Sequence, residues 1–153
     1  LQVEITGDEQ LEAAIAPDAL KQILLNIVQN GREAFEAWSA RPVGPAHIFV
    51  DVARVDDEVC IHVHDNGPGI PTAILSRIFD PFFTTKGAVH GVGLGLFVAE
   101  GLVRSAGGRI TAGNVEQPSG SVLGAWFRIE LPVPLTTVVS PAYHAHAPAQ
   151  RAH

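Results

Sequence analysis

Asn26 and Asn30 lie four residues apart in a stretch whose apolar residues recur with helical spacing, so their side chains share a helix face. With Gln22 and Glu33 they form a polar stripe. The plain reading is a solvent-facing edge. The chemical reading is that an Asn carbonyl offers one hard oxygen to Mg²⁺, which takes only one or two protein oxygens and keeps several waters. Asp65-Asn66-Gly67-Pro68-Gly69-Ile70 follows a strand-like run. It reads as a turn. It also reads as a carboxylate held at a strand end, able to accept a hydrogen bond from an exocyclic amine such as that of adenine. The glycines beside it would let backbone approach a flat ring. Gly91-Val92-Gly93-Leu94-Gly95-Leu96 stands where a loop enters a helix, and free amides with the helix dipole favour an anion there. The alternation of its glycines is not the dinucleotide fingerprint, and no P-loop signature occurs. Phe79-Asp80-Pro81-Phe82-Phe83-Thr84-Thr85-Lys86 lies between these two segments. Its aromatics would fill a satellite core under the loop, or clamp a hinged lid from which Lys86 reaches a terminal phosphate. His62 and His64 alternate on one strand and so share a face, for cross-strand packing or for a metal pair.

The elements that must position these groups are visible in the pattern. Leu1 to Ile5 and Leu11 to Ile15 read as two short strands, or as one strand and a turn, around Gly7-Asp8. Pro17-Asp18 opens a helix. Leu20, Ile23, Leu24, Ile27, Val28, Ala34, Phe35 and Trp38 continue it with 3.6-residue spacing to about Trp38. Ile48, Val50 and Val52, then Val59, Ile61 and Val63, alternate on either side of Asp56-Asp57, which predicts a hairpin. Pro71 to Ile78 predicts a short helix, and Phe79 to Val92 a long functional loop. Leu94 to Ser105 is apolar almost all round, which predicts a buried helix ended by Gly107-Gly108. Arg109 to Asn114 and Ser121 to Leu131 form a last strand pair. Residues 133–153 are Pro-, Ala- and His-rich and predict a flexible tail, on which His144, His146 and His153 would be tail residues. Together this is an α/β two-layer sandwich: a mixed, largely antiparallel sheet of about five strands with three helices on one face.

Taken in order, the four polar and glycine-rich segments resemble the ATP-binding catalytic domain of two-component sensor histidine kinases. That domain belongs to the wider gyrase, chaperone, histidine-kinase and mismatch-repair ATPase superfamily with its Bergerat-type fold. Leu24 to Asn30 resembles the N box, Asp65 to Ile70 the G1 box, Phe79 to Lys86 the F box and Gly91 to Leu96 the G2 box. Gly124 to Pro132 resembles the closing strand, so the likeness spans residues 1–132, and the Pro81-to-Lys86 lid is closest to the nitrogen-regulation type. The resemblance implies that Asn30 binds Mg²⁺ and that Asn26 sits near the phosphates or the water shell of the metal. It implies that Asp65 bonds the adenine amine, with Gly67, Gly69 and Ile70 shaping that pocket. Phe79 and Thr85 would belong to the lid, Lys86 would meet the γ-phosphate, and Gly91, Gly93, Leu94, Gly95 and Leu96 would wrap the triphosphate. Asn26 and Lys86 are the catalytic candidates, and ATP with Mg²⁺ the implied cofactors. Three positions depart from the family pattern. Gly31 stands where Ala is usual, at a cost of about 1 kcal/mol in mid-helix, and would serve close packing. Val92 replaces a Ser or Thr hydroxyl, and His90 lies in the lid.

Composition narrows the rest. The chain has 153 residues, one Cys, no Met and a formal net charge of −6. That size suits one domain burying roughly 70% of its unfolded surface. One Cys excludes an internal disulfide framework, and an acidic balance argues against nucleic acid. No run approaches the roughly 18 apolar residues that span a bilayer, and no signal-peptide pattern opens the chain. Distant surface charge is screened beyond about 8–10 Å, so it does not forbid a triphosphate held at close range. A chain without Met even at position 1 is expected to be a piece of a longer protein. In the family the nucleophile is a His on a separate dimeric helical hairpin, which is absent from this sequence. The expected partners are therefore that His-containing dimerisation domain of a homodimeric, cytoplasmic or membrane-anchored parent, and a response-regulator receiver domain. The chain alone is expected to bind ATP·Mg²⁺ without labelling itself. The alternatives are a Ser-phosphorylating anti-sigma-type kinase, a dimeric ATPase, or an inert nucleotide-sensing domain. The dimeric ATPases carry a Glu base where Asn26 stands, and Asn cannot take a proton.

Overall fold

The computed structural model describes residues 1–8, 10–39, 44–85 and 92–134. Pro17 starts α1 (Pro17–Ala37) with its fixed φ and needs no side-chain cap. The periodic apolar residues then drive the helix onto the sheet: Ile23, Ile27 and Phe35 are buried. The predicted hairpin forms as β2 (His47–Val55) and β3 (Glu58–Asp65). Its turn puts Asp56 at φ +54, a conformation Asp tolerates. A single helical turn, α2 (Thr72–Leu75), and a longer helix, α3 (Gly95–Ser105), follow. The last pair is β4 (Arg109–Glu116) and β5 (Val122–Pro132), with a bulge at Val115/Glu116.

With β1 (Gln2–Gly7) the strands make one five-stranded sheet in the order β1-β2-β3-β5-β4. Only β1–β2 is parallel among these neighbours, as expected where a helix crosses between two strands. Alternation sends Ile48, Val50, Val59, Ile61, Val63, Phe127, Ile129 and Leu131 into one core with the inner sides of α1 and α3. Gly31 lets α1 lie close to β2: a Cβ there would come within 2.9 Å of Ile48 Cδ1. Among the described residues no helix is long and apolar enough to cross a membrane.

The structure decides between the two N-terminal readings and corrects one expectation, that for α3. Leu11 to Ile15 is not a strand, so the reading of one strand and a turn holds. Leu11, Ala13 and Ile15 lie against the core, and the segment is tied by Ala14 N–H to Pro132 O and by a tight turn from Ile15 N–H to Ala13 O. β1 forms but stays exposed (Ile5 is 71% accessible), because a parallel edge strand lies beyond the helices' cover. α3 is not buried all round. Ala99 and Val103 are fully enclosed, whereas Phe97 and Val98 remain exposed, since a two-layer fold covers one side of a helix only. At the other end Val133 N–H donates to Asp57 O. Residues 135–153, with His144, His146 and His153, lie outside the described residues.

Candidate active site

The polar stripe of α1 turns inward at its centre. Asn26 and Asn30 are half-buried and line a cavity of about 510 Å³ together with Asp65 from the end of β3. Gly69 and Ile70 form part of the same wall, and Thr85, Gly93, Leu94, Gly95 and Leu96 close the far side. Segments more than sixty residues apart thus converge on one cleft. Gly67 stands behind it and acts through its N–H. Phe79 packs against the main hydrophobic core and does not line the cavity, so its expected place in the nucleotide site is corrected. Phe83 is the aromatic of that loop that lines the cavity, with the Arg77 guanidinium 4.6 Å from its ring centroid. Lys86, His90 and Gly91 lie outside the described residues.

Asp65 is held by two backbone amides. Gly67 N–H donates to its Oδ1 at 2.8 Å and Ala125 N–H to the same oxygen at 3.1 Å. Both bonds use Oδ1, which leaves Oδ2 on the side facing Gly31 of α1. Burial pushes the carboxyl above its ordinary pKa, and the two amide bonds oppose that shift without cancelling it. A desolvated carboxylate with one committed oxygen fits a donor such as an exocyclic amine. β5 approaches this carboxylate closely because it has no side chain at Gly124, where a Cβ would lie 1.7 Å from Asp65 O.

The two asparagines differ in what they do. Asn30 Nδ2–H donates to Asn26 O at 2.8 Å, which directs its Oδ1 away from the helix as an acceptor. That donor set fits a hard cation. Asn26 is engaged at both ends: its Oδ1 accepts from Gln22 Nε2 at 3.0 Å, and its Nδ2 donates to Gly95 O at 2.8 Å. It therefore ties α1 to the first residue of α3 and positions that helix start. Among the described residues no side chain caps α3, which leaves its first-turn amides available to an anion. Gly93 just before it has φ +68, and a Cβ there would come 2.5 Å from Phe83 O. Only glycine lets the aromatic loop and the helix start meet this closely.

Asn114 escaped the sequence reading. Its Oδ1 accepts from Ile70 N–H at 2.7 Å and its Nδ2 donates to Ile70 O at 2.8 Å, so one amide clamps the backbone of the cavity wall. The available signal was a polar residue in register with Ile110 and Ala112 on the core-facing side of β4. Asn114→Ala leaves both Ile70 backbone groups unpaired and is expected to destabilise the fold by about 1–3 kcal/mol. Urea denaturation measures this; a loss under about 0.5 kcal/mol, the level of an ordinary surface change, would show that the clamp is idle.

The comparisons with known proteins agree with this geometry. The family described as Histidine kinase-, DNA gyrase B-, and HSP90-like ATPase matches residues 15–135. The Two-component sensor PprA of Pseudomonas aeruginosa is 40% identical over 116 residues, covering 76% of this chain and 12% of PprA. The Nitrogen regulation protein NtrY of Azorhizobium caulinodans is 35% identical over 112 residues, covering 73% of this chain and 14% of NtrY. The chain thus spans a small part of the curated relatives it matches. Among solved structures, the catalytic domain of histidine kinase ThkA superposes with a TM-score of 0.66 at 31% identity, covering 86% of this chain and 78% of that one. With the family model matched over residues 15–135 and a half-buried carboxylate, a half-buried asparagine and a helix start around one cleft, the chain belongs to the histidine kinase-, DNA gyrase B- and HSP90-like ATPases, as the ATP-binding catalytic domain of a two-component sensor histidine kinase.

Proposed function

We propose that this domain binds ATP with Mg²⁺ in the cavity and presents the γ-phosphate to a His on a separate dimerisation domain of its parent. The observation that carries the reading is that Asp65 and Asn30, on different elements, open onto the same cavity as the start of α3. Asp65 Oδ2 accepts the adenine amine. Asn30 Oδ1 is the protein ligand to the metal, and the first-turn amides of α3 take phosphate oxygens. Bound Mg²⁺ neutralises charge that builds on the phosphate oxygens during transfer. Asn26 acts by holding α3 in place, and the terminal phosphate is assigned to Lys86 on the likeness of Phe79 to Lys86 to the F box. The domain contributes position and electrostatics, while the imidazole nitrogen of the partner supplies the nucleophile and ADP leaves.

Asn26 is unsuited to activating water, since its amide is already committed to Gly95 O and Gln22. This favours transfer to a partner over steady hydrolysis. The parent is proposed to be a cytoplasmic or membrane-anchored homodimer that passes the phosphoryl group to a response-regulator receiver domain. Incubation with γ-labelled ATP and Mg²⁺ tests the reading. The isolated chain is expected to stay unlabelled, and a separately made His-containing dimerisation domain is expected to become labelled only when the chain is added. Labelling of the chain itself, or none of the His domain, would overturn it.

A further inference from the structure

The sheet has a second face, turned away from the helices. Alternation places Phe49 and Asp51 of β2, His62 and His64 of β3 and Trp126 of β5 there. The rings pack in a row: Phe49 stacks on His64 at 4.9 Å, His64 lies 5.3 Å from His62, and His62 lies 6.0 Å from Trp126. Cross-strand packing accounts for the rings but not for their polar atoms. His64 Nδ1 is shut off from solvent and has no hydrogen-bond partner among the described residues. Such an atom calls for an explanation. Its nearest charged neighbour, Asp51 Oδ2, is 3.7 Å away, beyond hydrogen-bond range.

Asp51 is the direct cross-strand partner of His62. One ligand atom from each of Asp51, His62 and His64 lies within 4.8 Å of the others. Donors around a tetrahedral ion with bonds of about 2.0–2.2 Å sit roughly 3.3–3.6 Å apart, so the Asp51–His64 separation already approaches that spacing and small side-chain rotations close the rest. The other Asp51 oxygen accepts a hydrogen bond from Thr6 Oγ1 on β1, which orients the carboxylate as outer partners of metal ligands do. Arg128, the neighbour of His62 on β5, has its guanidinium drawn to Glu130 at 3.0 Å.

We propose that Asp51, His62 and His64 form a Zn²⁺ site on the open face of the sheet, with water completing the coordination. Two imidazoles and one carboxylate suit zinc and disfavour Mg²⁺, which prefers oxygen ligands alone. The site is therefore distinct in chemistry and in place from the cavity that holds ATP. The ion joins β2 to β3 beside Asp65, whose side chain projects from the opposite face.

The test uses the full chain with Zn²⁺ alone and with Co²⁺ as a spectroscopic stand-in. Zn²⁺ is expected to bind with one-to-one stoichiometry and to raise the melting temperature, whereas Mg²⁺ at the same concentration does not. Co²⁺ is expected to give the strong visible bands of tetrahedral coordination. H62Q and H64Q should each weaken Zn²⁺ binding by at least about 10-fold and abolish those bands. Metal-free melting curves of the two variants check that they fold, and D51N provides a third variant that leaves both rings in place. A chain carrying H144Q, H146Q and H153Q together should bind as tightly as the parent sequence. Bands that survive in both H62Q and H64Q, or that vanish in the tail variant, would show adventitious binding by other histidines and overturn the proposal.

Discussion

Replacing Asp65 by Asn is expected to weaken ATP binding by about 10–100-fold while leaving the unliganded fold at neutral pH as stable as before, or more so. The affinity loss follows from the geometry. Asn keeps an oxygen for the amides of Gly67 and Ala125, so its NH₂ must take the place of Oδ2. A donor then faces the donor amine of adenine. A hydrogen bond to a charged group contributes about 1.5–3 kcal/mol, which is the stated fold-change. The stability effect has the opposite sign. Burial raises the pKa of Asp65 in the folded chain above its unfolded value. The folded state therefore holds the proton more tightly than the unfolded state. Stability associated with this group is fully present below the unfolded pKa and is lost as pH rises through the folded one. Where the wild-type carboxyl is ionised it carries the net cost of that shift, burial less the two amide bonds, which Asn does not incur. Melting the two proteins without nucleotide should show D65N gaining on the wild type as pH rises from below the ordinary carboxylate range to neutrality. Titration with ATP by calorimetry supplies the other half. Binding within twofold of wild type would remove Asp65 from the adenine site.

The same carboxylate shows why part of this site was legible in the chain and part was not. Asp65 and its glycines form a local run, and α1 declares its face through the spacing from Leu20 to Trp38, so Asn26, Asn30 and Asp65 were nameable. Local patterns also gave the hairpin and the closing strand pair. Contacts made across the sheet left weaker traces. Asn114 becomes a clamp only once the β4–β5 register turns it toward Ile70, and a lone Asn in a short strand does not announce that register. The aromatic loop could be read only as a whole, for a related reason. With Phe82 at φ +62 the backbone turns, sending Phe79 to the core, Phe83 to the cavity and Phe82 to solvent. Composition gives no hint of which of three phenylalanines goes where. Asn26 shows a subtler limit: its place beside the cavity followed from periodicity, but its bond to Gly95 O depends on how α3 meets α1.

Asn30→Ala is expected to abolish the dependence of ATP binding on Mg²⁺ and to lower phosphoryl transfer to the His domain by about 100-fold or more, the upper end of what even outer-shell changes cost a metal site. The fold should not suffer. Among the described residues Asn30 makes one side-chain bond, to the carbonyl of Asn26 four residues earlier, and Ala is the better helix former by roughly 0.6 kcal/mol. A drop in activity with an unchanged or slightly raised melting temperature therefore reports on the site and not on stability. In EDTA the variant and the wild type should bind ATP alike, because Asp65 and the start of α3 are untouched. With Mg²⁺ only the wild type should tighten. Asn30→Asp separates ligation from shape: it keeps an oxygen for the metal while losing the amide that bonds Asn26 O. Its Mg²⁺ dependence should return. If Asn30→Ala still tightens with Mg²⁺ as the wild type does, the cation is held elsewhere in the cleft, and the half-buried Asn on α1 is only the polar edge of a helix.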